Sequence, residues 1–131
     1  MVSALYAVIG TLFILKFSFD VIRLRRQYRV PTGDGGFSEL RLAIRVQGNS
    51  IEYIPITLIL LLLAEMNGAE IWILHALAVL FFIGRALHAR GLRHSILFWR
   101  RNGMMMTLAA IIAMLVVNLV YLPWELVLSV H

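Results

Sequence analysis

Four long apolar blocks separated by short polar stretches organise the chain. The first runs from about Val2 to Phe19, broken only by Lys16, and is followed by Arg23, Arg25, Arg26 and Arg29. A signal peptide opens on a basic segment and closes on a small-residue cleavage site; here the basic cluster follows the apolar run, so the pattern predicts a retained first helix. Pro31, Gly33, Asp34, Gly35 and Gly36 make a loop of Val30 to Gly36. A second helix is predicted to start near Phe37 to Leu40, with Ser38 or Thr32 as its cap and Ser38 the better placed. It continues to about Ala64, and roughly 20 residues suffice to cross the hydrocarbon of a bilayer. A turn at Glu65, Asn67, Gly68 and Glu70 leads into a third block, Ile71 to about His88. A basic connection with Arg90, Arg93, Arg100 and Arg101 precedes the fourth block, Met104 to Leu122, whose one strongly polar residue is Asn118.

Composition turns these blocks into membrane spans. Of 131 residues, 61% are hydrophobic and 15% charged, whereas soluble domains carry roughly 45–50% apolar and about 25% charged residues. The expected fold is all-α: one integral membrane four-helix bundle covering residues 1–131. The first and third connections carry the arginines, and the second has Glu65 and Glu70 with no lysine or arginine. The positive-inside rule therefore puts the basic loops in the cytoplasm and both termini outside. The net charge of +5 is absorbed by this topology. With no separate basic domain, nucleic acid is not expected as a partner.

The chain has no cysteine, so it offers neither a thiolate metal site nor a protein thiol nucleophile. Any reactive sulfur must arrive with a ligand. The informative chemistry lies inside the second span, where Arg41, Arg45, Asn49, Glu52 and Tyr53 fall on one stripe at helical spacing. Charges near a bilayer centre cost about 2.5–3.5 kcal/mol each on insertion scales, so the stripe should face the protein interior or a wet cavity. An internal Arg45 to Glu52 salt bridge would explain two of these residues; five polar side chains exceed what a helix tether needs and point to a ligand site. Pro55 removes a backbone hydrogen bond to Ile51 and reads as a structural kink.

In the third span Arg85 and His88 stand one turn apart, with Leu92 a turn further on the same face. His75, near the other end, reads as a hydrogen-bonded packing residue. Arg100 and Arg101 enter the fourth span, where interfacial anchoring alone would account for an isolated arginine. Met104 to Met106 read as adaptable packing.

The stretch Arg45-Val-Gln-Gly-Asn49-Ser-Ile-Glu52-Tyr53-Ile-Pro55 resembles the second-helix signature of the MAPEG superfamily, the membrane-associated proteins in eicosanoid and glutathione metabolism. Its pattern, R-x-Q-x-N-x-x-E-Y-x-P, is most similar to the leukotriene C4 synthase and microsomal glutathione transferase branch. Arg85-Ala-Leu-His88 is similar to the third-helix R-x-x-H of the prostaglandin E synthase branch. The resemblance covers essentially the whole chain.

That resemblance implies a homotrimer binding glutathione, as thiol cosubstrate, between neighbouring subunits near the cytoplasmic face. Arg45, Asn49, Glu52 and Tyr53 would bind it, Glu52 taking the ammonium and Arg45 a carboxylate or neighbouring polar group. Arg25 matches the family's first-helix arginine; Arg85 and His88 would complete the site, or Arg85 would support structure. Arg101 matches the arginine assigned to the thiolate, with Arg100 the alternative register. Residue chemistry agrees: a ligand with two carboxylates, an ammonium and a thiol wants arginines, a carboxylate and a cation near sulfur. Leu92 stands where many members carry a third-helix tyrosine. The implied activity is that of a glutathione transferase or glutathione-dependent peroxidase acting on a lipophilic small molecule. The alternatives are a non-catalytic scaffold holding a membrane lipid or other partner, and a small exporter or channel.

Overall fold

The computed structural model describes residues 1–128. Four helices span the apolar blocks: α1 (Val2–Tyr28), α2 (Ser38–Met66), α3 (Ile71–Arg93) and α4 (Leu97–Tyr121). A short α5 (Trp124–Val127) follows. Each of the four long helices is long and apolar enough to cross a membrane, and their outward faces carry large apolar residues such as Leu12, Phe19, Ile112 and Leu115. The chain is thus a membrane protein of four transmembrane helices. The outward position expected for the C-terminus falls on residues 129–131, outside the described residues.

Helix boundaries extend beyond the apolar blocks because arginines continue a helix as readily as leucines. Arg23, Arg25 and Arg26 belong to the last turns of α1, and Arg29 closes it in the left-handed conformation at φ 56°. The basic connection between the third and fourth blocks shrinks to three residues, His94 to Ile96: Arg90 and Arg93 end α3, while Arg100 and Arg101 lie in the first turns of α4. Neither candidate cap of α2 serves. Phe37 occupies the position in extended conformation, and Ser38 is already helical.

At one end of the bundle Glu65 accepts hydrogen bonds from the backbone N–H groups of Val2 and Ser3 and from Ser3 Oγ (2.7 Å). An anion there satisfies orphan donors and complements the positive end of the α1 dipole. Nearby, His75 Nδ1 pairs with Tyr6 Oη at 2.7 Å, the packing role expected of it. At the opposite end the first loop is fastened by Arg25, whose Nη1 donates to the carbonyls of Val30 (3.2 Å) and Gly33 (2.8 Å). Tyr28 stacks on Phe37 and donates to Glu39.

The core of the bundle gathers Tyr6, Ile54, Leu61, Phe81, Phe82 and Met114. Asn118 donates to the carbonyls of Leu60 (3.0 Å) and Met114 (2.8 Å), which removes the cost of an amide inside the bundle. Helices α3 and α4 approach so closely that a Cβ on Gly84 would stand 2.9 Å from the Gly103 carbonyl, and one on Gly103 would collide with the His88 backbone. Small residues at a crossing let helix backbones touch in lipid, where packing replaces the hydrophobic drive.

Candidate functional site

The Gly84/Gly103 crossing sets His88 of α3 beside the start of α4. The tight turn continues the arrangement: Ile96 N–H donates to the Gly91 carbonyl at 2.8 Å, Ser95 takes the left-handed conformation, and a Cβ on Gly91 would strike the Arg100 backbone. Arg100 and Arg101 are thereby delivered to the same level of the bundle as Arg45 and Asn49 of α2. Together with His88 these side chains line a cleft of about 460 Å³, within the range usual for small-molecule sites. Leu92, Leu97, Met104 and Met105 form its apolar part.

Among the described residues no carboxylate lines this cleft, whereas three arginines do. Among the described residues no side chain caps the N-terminus of α4, so the positive end of a 25-residue helix adds to the field. The arrangement is suited to an anion with an apolar neighbour.

Arg85 lies beneath the cleft. It is 2% exposed, its Nε donates to Thr107 Oγ1 at 3.0 Å, and its Nη1 reaches the Asn49 carbonyl at 3.4 Å. The Thr107 hydroxyl in turn donates a hydrogen bond to the Gly103 carbonyl at 2.8 Å. The guanidinium sits 5.0 Å from the centroid of the half-buried Tyr53 ring, while Nη2 has no hydrogen-bond partner among the described residues. Burying a guanidinium with a free N–H is costly. Arg85 therefore ties α2, α3 and α4 at the level of the polar stripe.

Of the residues singled out in the sequence, Arg45, Asn49, His88 and both Arg100 and Arg101 meet in the cleft. Arg85 and Tyr53 pack together behind it. Arg25 does not reach it within one chain; it holds the first loop.

Of the α2 stripe, expected to face the protein interior or a wet cavity, Arg45 and Asn49 line the cleft, while Arg41 and Glu52 lie on the exposed flank. The side of α2 that packs inside the chain is Leu40, Ala43, Val46, Ser50, Ile54, Thr57 and Leu61, and Arg41, Arg45 and Glu52 are exposed. Small and apolar residues give the closer helix contact, so the charged stripe is turned to the flank. No Arg45 to Glu52 ion pair forms: among the described residues every ion pair centres on Asp20. That cluster, with Lys16 at 2.8 Å and Arg93 at 3.1 Å, is absent from the sequence expectations. The i,i+4 spacing of Lys16 and Asp20 within an apolar helix was the available signal.

Comparison with known proteins agrees with the signature. The family model described as the MAPEG family matches residues 3–120. The chain is 55% identical over 131 residues, all of both chains, to Inner membrane protein YecN of Escherichia coli strain K12. Identity and coverage are the same for the protein of that name in Escherichia coli O6:H1.

Proposed function

The chain belongs to the MAPEG family, and from that premise we propose that it is a glutathione-binding homotrimer of the bacterial inner membrane. It conjugates glutathione to lipophilic electrophiles or uses it to reduce lipid hydroperoxides. The observation that carries this reading is the carboxylate-free cleft in which Arg45, Asn49, His88, Arg100 and Arg101 converge beside an apolar wall. Its cations suit the two carboxylates and the thiolate of glutathione, and bidentate arginine contacts are the strong form of such recognition. The basic ends of the helices face the cytoplasm, where glutathione enters.

Trimer formation is supported by Glu52. Its carboxylate is exposed on the flank of a 29-residue spanning helix and has no cation within ion-pair distance among the described residues. Left against lipid it is destabilising; covered by a neighbouring subunit and bonded to the glutathione ammonium it is compensated. A neighbour's Arg25 and the exposed Arg41 complete the positive surround.

In the transferase reaction the thiol loses its proton to solvent, the sulfur lone pair forms the S–C bond, and the leaving group departs with its electrons. With a hydroperoxide the thiolate attacks the terminal oxygen, the O–O bond breaks to give glutathione sulfenic acid and an alkoxide that leaves as the alcohol after protonation, and a second glutathione converts the sulfenic acid to disulfide and water. An unperturbed thiol has a pKa of about 8.5, and a guanidinium near the sulfur favours the thiolate. Arg101 supplies that cation, with Arg100 the alternative.

A second reading is favoured by Leu92. This buried, apolar residue lines the cleft at a position where the family resemblance implies a tyrosine, which suits a non-catalytic protein holding a lipid or other partner. Titration of glutathione into the detergent-purified protein, followed by turnover with a generic electrophile and a lipid hydroperoxide, separates the two. Binding with turnover supports the enzyme, binding alone the scaffold, and neither removes glutathione from the account.

A further inference from the structure

A second cleft, about 600 Å³, opens on the other side of α3, against α1. In one half of the membrane these helices are joined by aromatic packing, with Phe82 5.3 Å from Phe13 and 6.1 Å from Tyr6 between ring centroids. Toward the basic end, α3 presents the small side chains of Ala86 and Ala89, and a cleft opens between the helices. They are tied again by Arg93 and Asp20 at 3.1 Å. Between these two ties lies a groove walled by Phe13, Phe17 and the alanines, with Leu12 at its outer lip 60% exposed.

Charge is unbalanced at the basic end. Among the described residues Asp20 is the one carboxylate that lines the groove; it is mostly buried and already serves Lys16 at 2.8 Å and Arg93 at 3.1 Å, with Arg23 at 4.0 Å. Arg90 also lines the groove and forms no ion pair among the described residues. Lysine and arginine stems lie along apolar surface and carry their charges to headgroup level. A cationic mouth leading to an apolar trough, open sideways to lipid, matches an amphiphile whose anion is at one end.

We propose that the α1–α3 groove binds an anionic phospholipid, its phosphate among Lys16, Arg90 and Arg93 and an acyl chain along Phe13, Phe17 and Ala86. The site is separate from the glutathione cleft, because α3 gives His88 and Leu92 to one and Ala86 and Ala89 to the other. It stands whether or not glutathione binds. The leaflet follows from the topology proposed above, which makes it the cytoplasmic one.

The test is native mass spectrometry of delipidated protein in a neutral detergent with equal amounts of phosphatidylglycerol and phosphatidylcholine. Wild type should retain phosphatidylglycerol in preference. Ala86→Phe fills the trough, and Lys16→Gln with Arg90→Gln removes two cations while Arg93 keeps Asp20 paired. Each variant should lose roughly tenfold or more of that preference, with its thermal unfolding as the check on folding. Equal retention of the two lipids by wild type overturns the proposal, as does undiminished preference in a folded variant of either kind. A change of oligomeric state on Ala86→Phe also overturns it, by showing that a second copy of the chain covers the groove.

Discussion

Gly103 of α4 lies against the backbone of His88 of α3, with no room for a Cβ between them. The same crossing brings Gly84 into contact with the Gly103 carbonyl and holds the Thr107 hydroxyl where Arg85 donates to it. Gly103→Ala must push α3 from α4 at the level of the candidate site. Overpacking of this kind typically costs about 1–3 kcal/mol. Thermal unfolding in detergent should shift down by several degrees, and glutathione affinity should fall with it; wild-type values for both would contradict the close crossing.

Glu65 offers a test at the far end of the bundle. Its carboxylate accepts from two backbone N–H groups and a hydroxyl at the start of α1, so Glu65→Gln removes a charge-assisted cap. Losses of about 0.5–2 kcal/mol are usual for capping groups. Hydrogen exchange at the first turn of α1 should accelerate while the basic end is unchanged, and unaltered protection of that turn would count against the cap.

The absence of cysteine from the sequence makes topology simple to probe. Thr32→Cys sits in the arginine-flanked first loop and Asn67→Cys in the second connection. In intact cells a membrane-impermeant maleimide should label position 67 and spare position 32 until the membrane is broken. The reverse pattern would invert the proposed orientation.

The exposed carboxylate of Glu52 carries the subunit-interface part of the account. Glu52→Ala should lower glutathione affinity at least roughly tenfold, the loss expected for one charged hydrogen bond. The oligomer should persist, since the substitution removes rather than creates an unpaired charge in the membrane. Undiminished affinity in an intact trimer would reduce Glu52 to a structural role.

Much of this protein is legible in its sequence because lipid imposes strong rules: long apolar blocks must become helices, and helices must pair their own backbone groups. That Arg45, Asn49, His88 and Arg101 share one site is implied by the resemblance to the family signature, not by spacing alone, and all four line the cleft. Their surroundings are not implied by it. Hydropathy ends a span where arginines begin, yet arginine continues a helix, so the ends of α1 and α3 and the three-residue turn before α4 lay beyond it. Periodicity groups Arg41, Arg45 and Glu52 on one stripe without saying which side packs; Ala43, Val46 and Ser50 decide that by their fit. The tie between Asp20 and Arg93 joins residues 73 apart in sequence, a tertiary fact that no local pattern encodes.

The most direct measurement of the central claim is the ultraviolet absorbance of thiolate when glutathione binds, compared among wild type, Arg101→Ala and Arg100→Ala. Both arginines line the cleft and both are exposed at its rim, so neither substitution opens the core. Wild type should show bound thiolate at neutral pH. Arg101→Ala should still bind glutathione through Arg45, Asn49 and Glu52, but its bound thiol should titrate nearer the solution value of about 8.5, and conjugation should slow. Loss confined to Arg100→Ala would move the thiolate cation one residue back; wild-type thiolate and turnover in both variants would contradict arginine activation, and glutathione that fails to bind the wild-type protein would contradict the account itself.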